Sequence, residues 1–179
     1  MPVQNKPGME SVRVVVMGVT GSGKTTCATA LAEALDGRFR DGDSLHSPEC
    51  VEKMRSGIPL DDEDRWPWFG RIAAFLNADP GCAVVACSAL KKAYRDFLRR
   101  EVRNIRFVFL DASRETVTAR VSARQGHYMP ASLVGSQFAA LERPVNEAGV
   151  TIVSADTPVA EIVSMFLADL EKKESAQGT

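Results

Sequence analysis

The run Gly18-Val19-Thr20-Gly21-Ser22-Gly23-Lys24-Thr25 meets every fixed position of the pattern G-x-x-x-x-G-K-[ST]. Glycines in such a run remove Cβ atoms, so backbone N–H groups can turn inward around phosphate oxygens. A helix starting just after the loop adds the positive end of its dipole. Gly18, Thr20, Gly21, Ser22, Gly23 and Thr26 are therefore expected to surround the phosphates of a nucleotide. Lys24 can bridge the terminal phosphates, and the Thr25 hydroxyl can ligate Mg²⁺. The chemistry to expect is phosphoryl transfer.

Two carboxylates follow. Asp41 and Asp43 are separated by Gly42 alone, and on an extended segment that spacing points both side chains the same way. Beside a phosphate loop, one can hold a water on Mg²⁺ and the other can accept the proton of an attacking hydroxyl. A solvated Asp-Gly turn is the plainer alternative for the pair in isolation. His46 can bind substrate or cap a turn. Arg65, flanked by Trp66 and Trp68, can clamp a substrate anion or pair with Asp61 one helical turn away. The two tryptophans read as packing residues rather than stacking platforms. Arg120 and Arg124 lie four apart on one helix face, bordering an apolar row of Val117 and Val121. From there both can lean over a ligand, and Gly126 and Pro130 bracket a loop suited to a mobile flap.

Positioning these groups takes strands and helices in alternation. Residues 12–17 are β-branched and apolar, the profile of a buried strand. A helix over 26–35, stopped by Gly37, leads to a second strand at 38–41. Ser47 and Pro48 open a short helix to 56. Another opens at 61–64, with Pro67 in its first turn and its body at 68–77. Strands at 82–87, 105–110 and 150–153 alternate with helices at 92–103, 114–124 and 131–141. A last helix runs from Thr157-Pro158 to about 171, leaving a disordered tail. The alternation predicts an α/β fold, a parallel sheet with helices on both faces, which binds ligands at the C-terminal strand edge. The phosphate loop follows the first strand, Asp41 and Asp43 the second, Ser88 and Lys91 the third, so the polar clusters converge on one edge.

At 179 residues the chain suits one domain with a full core. Its net charge of −1 gives no reason to expect nucleic acid or an anionic membrane as partner. Cys27, Cys50, Cys82 and Cys87 form no C-x-x-C pair, so buried free thiols in a reducing compartment are expected rather than a zinc site. The polar first eleven residues lack a signal-peptide stretch, and no run approaches membrane-spanning length. A cytoplasmic protein with a frayed start over 1–10 is expected.

These stretches resemble the gluconokinase family of small P-loop sugar-acid kinases, which are related in fold to shikimate kinase. The matches are MGVTGSGKTT (17–26), DGDSLH (41–46), KMRSGIPLDDEDRWPW (53–68), VVACSALKKAYRD (84–96) and GHYMPASLVGSQFAALE (126–142). They span nearly the whole chain from about 12 to 170. The resemblance implies a three-layer P-loop kinase with a five-stranded parallel sheet, a small lid over about 120–133, and ATP and Mg²⁺ as cofactors. It implies transfer of the γ-phosphoryl group to the 6-hydroxyl of D-gluconate, and a homodimer. It puts Asp43 at the substrate hydroxyl, Asp41 and Thr25 in the magnesium shell, and Arg65 and Lys91 on the sugar acid, with His46, His127 and Gln137 as further substrate contacts. Arg120 would lie on adenine beside Ala155, and Arg124 would face the phosphates as a catalytic cation. Two departures are visible. Ser44 stands where the family often has an acid, and Ser88-Ala89-Leu90 stands where shikimate kinases carry a glycine triplet, which counts against that substrate.

Rival functions are a kinase for another small sugar acid or hydroxy acid, a nucleotide-binding switch, and a nucleic-acid-dependent ATPase. A GTPase switch would carry N-K-x-D after a late strand, and the only Asn-Lys pair is Asn5-Lys6 at the frayed start. The near-neutral charge and lack of a basic stripe argue against the ATPase.

Overall fold

The computed structural model describes residues 11–78, 80–123 and 131–177. The first strand, β1 (Arg13–Met17), is dry on both faces. Val14 and Val16 pack with Leu31, Val117 and Phe166 on one side of the sheet. Val15 and Met17 pack with Phe69, Ile72 and Leu98 on the other. Burial on both faces is why the strand is continuously apolar instead of alternating with polar residues.

The sheet comprises β1, β2 (Arg38–Asp41), β3 (Ala83–Ala86), β4 (Ile105–Asp111) and β5 (Val150–Ser154), in spatial order β2-β3-β1-β4-β5. Every neighbouring pair is parallel, as the alternation predicts. Asp41 is level with Ala86, and Ala86 with Val16. At about 4.8 Å per strand, the ends of β2 and β1 are roughly 10 Å apart, with the end of β3 between them.

The helices are α1 (Lys24–Ala34), α2 (Pro48–Arg55), α3 (Asp62–Asn77), α4 (Lys92–Glu101), α5 (Arg114–Ala123), α6 (Ala131–Ala140) and α7 (Val159–Gln177), and a 3₁₀ turn spans Gly42–Leu45. Two expectations need correcting. Pro67 sits in the second turn of α3, not the first, because a reciprocal capping box between Asp61 and Asp64 starts the helix at Asp62. The proline lacks only the N–H that would have met the carbonyl of Glu63. The last helix continues to Gln177, well past the expected end. The segment after Glu171 is rich in helix formers, and Lys173 pairs with Asp169 at 2.8 Å, one turn back. All four cysteines are buried free thiols; burial pushes Cys27 up to about 11 and Cys87 up to about 12, so neither is a ready nucleophile. Among the described residues no helix is long and apolar enough to cross a membrane.

Candidate active site

The loop after β1 turns through three glycines with positive φ: Gly18 at 150°, Gly21 at 73° and Gly23 at 96°. Gly23 caps α1 in the left-handed region with no side-chain cap bond. The first-turn N–H groups of α1 have no intrahelical partners, and with the dipole they form an anion site. Lys24 Nζ donates to Val19 O at 2.9 Å, curling over the loop. Gly18 N donates to Ser88 O at 3.3 Å, tying the loop to the end of β3.

Two helices brace this loop from behind. A Cβ on Gly21 would lie 3.0 Å from Val121 of α5, so Val117 and Val121 form the apolar row against the loop, and Arg120 is left at its rim. Arg120 Nη1 donates to Ser22 O at 3.3 Å, and Nη2 to Ala155 O at 3.0 Å and Asp156 at 3.2 Å. Arg120 and Ala155, both expected at adenine, thus come together beside the phosphate loop. Gln137 of α6, expected among the substrate contacts, accepts from Thr20 N at 2.8 Å through Oε1.

Asp41 and Asp43 do not occupy an extended segment, which corrects the idea that both carboxylates point the same way. The chain turns into the 3₁₀ helix straight after Asp41. Asp41 Oδ1 accepts from Asp43 N at 3.0 Å, and Oδ2 accepts from Thr25 Oγ1 at 3.3 Å. Asp41 therefore faces α1, while the Asp43 side chain is 89% exposed. The turn is forced from below. A Cβ on Gly42 would lie 2.6 Å from Ala86 O, and Trp68 Nε1 donates to Gly42 O at 2.7 Å.

His46 closes the turn. Its side chain is 5% exposed and stacks on Trp68 with centroids 4.2 Å apart. Trp68 is therefore a buried packing residue that also serves as a stacking partner. Burial holds the imidazole below its ordinary range; Asp43, 3.9 Å from Nε2, opposes this, while Arg71 and Arg65 add to it. His46 is thus neutral near pH 7.

A cluster of charges lies one turn earlier on α3. Lys91 Nζ donates to both Asp62 oxygens, at 3.0 and 3.2 Å. The hydroxyl of buried Tyr94 donates to Asp62 Oδ1 and accepts from Arg65 Nη1 at 3.2 Å. Arg65 Nη1 is 3.7 Å from Asp62. Its local partner is thus Asp62 and not Asp61, whose carboxylate is committed to the cap. Arg65 and Lys91, expected on the sugar acid, converge on this one carboxylate.

Sequence reasoning gave no role to Arg95, yet it holds the loop that carries Lys91. Ala89 sits at φ 42°, a strained conformation worth about 1–3 kcal/mol for a residue with a Cβ. Arg95, 1% exposed, donates to Ala89 O and Leu90 O at 2.9 Å each and forks onto Glu147. Glu142 accepts from Lys92 N at 2.6 Å and caps α4. Only the repeated charges of 91–96 hinted at this, because the partners lie about 50 residues away. Arg124, His127 and the 124–130 part of the expected lid lie outside the described residues.

Among the described residues no three His, Cys, Asp or Glu side chains gather as a metal cluster. The Thr25 hydroxyl and Asp41 carboxylate nevertheless fit Mg²⁺, which takes one or two protein oxygens plus water and phosphate. The fold and this edge define a small-molecule kinase of the P-loop type.

The profile of the shikimate kinase family matches residues 20–171. The chain is 42% identical over 173 residues to the gluconokinase of Gluconobacter oxydans (strain 621H), covering 93% of this chain and 97% of that one. It is 42% identical over 152 residues to the thermosensitive gluconokinase of Escherichia coli (strain K12), covering 83% of this chain and 81% of that one. The crystal structure of a gluconokinase from Sinorhizobium meliloti 1021 superposes with a TM-score of 0.83 at 44% identity, covering 93% and 95%. The chain belongs to the shikimate kinase family and, within it, to the gluconokinases.

Proposed function

We propose that the protein transfers the γ-phosphoryl group of ATP to the 6-hydroxyl of D-gluconate, giving 6-phospho-D-gluconate. The observation that carries this is the meeting of the phosphate loop with the Asp41–Asp43 turn, joined by Thr25 and Asp41 at 3.3 Å, in a chain of gluconokinase descent. Thr25 and, through water, Asp41 would hold Mg²⁺, which would neutralise charge at the phosphates. Lys24 stabilises the charge that develops on the transferring group, and Arg124 adds to this from the lid. Asp43 orients the acceptor hydroxyl and takes its proton. Neutral His46 hydrogen-bonds the sugar chain together with His127, and Arg65 and Lys91 hold its carboxylate. Arg120 and Ala155 border adenine, and Gln137 supports the loop from the substrate side. A cytoplasmic location, where ATP and reduced thiols coexist, and a homodimer complete the reading.

The test is ADP release by the purified protein with ATP and Mg²⁺, across gluconate, shikimate and a panel of sugar acids. Gluconate-dependent release with the highest kcat/KM for gluconate is expected. Equal release without any acceptor, or a clear preference for another acid, would overturn the proposal.

A further inference from the structure

We propose that Asp62 sets the charge of the acceptor site, matching it to a substrate with one carboxylate and disfavouring the corresponding diacid. The inference rests on Arg65 and Lys91 being the donors to the acceptor's carboxylate.

Asp62 takes both Lys91 contacts at 3.0 and 3.2 Å, the Tyr94 hydroxyl, and Arg65 at 3.7 Å. The helix does not need this carboxylate for its start, since Asp61 and Asp64 already form a capping box. Its reach to residues 29 and 32 positions away is tertiary. Tyr94 is 4% exposed, so its hydroxyl is a fixed post that keeps Asp62 from swinging into solvent. The neighbouring charges are committed elsewhere: Asp64 to Lys53 and Lys92 to Asp96. Arg65, Lys91 and Asp62 among themselves carry one surplus positive charge, which the neighbouring Asp61 and Glu63 offset only from the adjacent backbone positions. Lys91 and Arg65 side chains are each 35% exposed and Asp62 is 48% exposed, so all three are within reach of a solute. One incoming carboxylate balances this cluster of three. A second carboxylate, at the end assigned to Asp43, meets a like charge there, and Asp62 adds to the repulsion.

Asp62→Asn keeps the size and one acceptor oxygen for Tyr94 and Lys91, removes the charge, and gives up the second Lys91 contact, since an amide nitrogen donates. The probes are glucitol (neutral), gluconate (one carboxylate) and glucarate (the same carbon chain with a second carboxylate in place of the terminal hydroxyl). Inhibition constants for glucitol and glucarate and the KM for gluconate are measured for wild type, Asp62→Asn, Asp62→Glu and Lys91→Met. In Asp62→Asn, glucarate should inhibit roughly three- to tenfold more tightly, the scale of one partly exposed unit charge. Gluconate KM should fall by less, glucitol should be unmoved, and Asp62→Glu should restore the wild-type order. Weaker or unchanged glucarate inhibition in Asp62→Asn, with Lys91→Met raising gluconate KM, overturns the charge-setting role alone. If Lys91→Met leaves gluconate KM unchanged as well, the acceptor-site assignment fails with it. Thermal unfolding of each variant separates these outcomes from loss of fold.

Discussion

Thr25 Oγ1 and Asp41 Oδ2 stand 3.3 Å apart and join the first turn of α1 to the end of β2. A hydroxyl and a carboxylate this close are placed to serve one Mg²⁺ shell, Thr25 directly and Asp41 through a bound water. Asp41→Asn should therefore raise the Mg²⁺ concentration needed for half-maximal rate severalfold, with kcat recovering at high Mg²⁺. A titration of rate against Mg²⁺ that superposes on wild type would remove Asp41 from the metal shell.

Asp43 is the exposed member of the pair, and among the described residues its recorded side-chain partner is His46 at 3.9 Å. Asp43→Asn keeps its shape and removes the proton acceptor. Loss of roughly 10²- to 10⁴-fold in kcat is expected, the usual worth of general base catalysis. ATP affinity, measured by titration of a fluorescent analogue, should stay close to wild type. A kcat near the wild-type value would assign the hydroxyl's activation to positioning alone.

Lys24 reaches Val19 O through an ammonium hydrogen bond at 2.9 Å. That contact can be exchanged for phosphate oxygens without moving the backbone. Lys24→Met should lower kcat by about 10²-fold or more, the scale of removing one strong electrostatic stabiliser. The measurement is single-turnover transfer at saturating ATP, where a weakened KM cannot mask the chemical step.

Arg65 offers a planar fork, and Arg65→Lys keeps the charge but loses it. The KM for gluconate should rise at least several-fold while the KM for ATP hardly moves. If both constants rise together, the contact of Arg65 with Tyr94 and Asp62 is supporting the fold instead of the substrate.

Glu147 is 9% exposed and takes Arg95 and Arg99. Hydrogen bonding from Arg95, with Arg99 behind it, holds its carboxyl below the usual glutamate range. A depressed folded value means that the stabilisation is present above that range and is lost as pH falls through the folded value. Urea unfolding should show wild type losing stability between pH 5 and 3 more steeply than Glu147→Gln. Removing Arg95 instead (Arg95→Met) leaves a buried acid with one weaker partner and should cost about 3–5 kcal/mol at neutral pH. Parallel pH profiles for wild type and Glu147→Gln would mean that the pair contributes no net linkage.

The strands and the phosphate loop were legible because each carries its own signal within a few residues. Val14 to Met17 are apolar without interruption only where both faces are covered, and the glycines of 18–23 stand where φ turns positive. The geometry of 41–46 was not legible. Gly42 is driven into a turn by Ala86 O and Trp68 Nε1, groups 44 and 26 residues away. Helical spacing predicted a partner for Arg65 but chose the wrong aspartate, since the cap competes for Asp61. Arg95 escaped notice for a similar reason. A buried guanidinium is explained by the carbonyls and the acid it meets, and of these the Glu142 carbonyl and the Glu147 carboxylate come from a connection after α6.

The strand order carries a genetic consequence. β2 and β3 lie on one side of β1, and β4 and β5 on the other. Asp43, His46, Arg65 and Lys91 consequently come from one continuous stretch of chain on one side of β1, while the phosphate loop, Arg120 and Ala155 lie before and after it, with Gln137 and His127 as the acceptor contacts outside the stretch. A single recombination cassette could exchange the acceptor half between related kinases and leave the ATP half intact. Besides the β1–β3 pairing and the Thr25–Asp41 contact, the side-chain seam such a graft must respect includes Arg95 with Glu147, and the Lys92 backbone with Glu142. Arg95 and Glu147 would have to travel together, whereas Glu142 meets a backbone N–H that any residue but proline supplies.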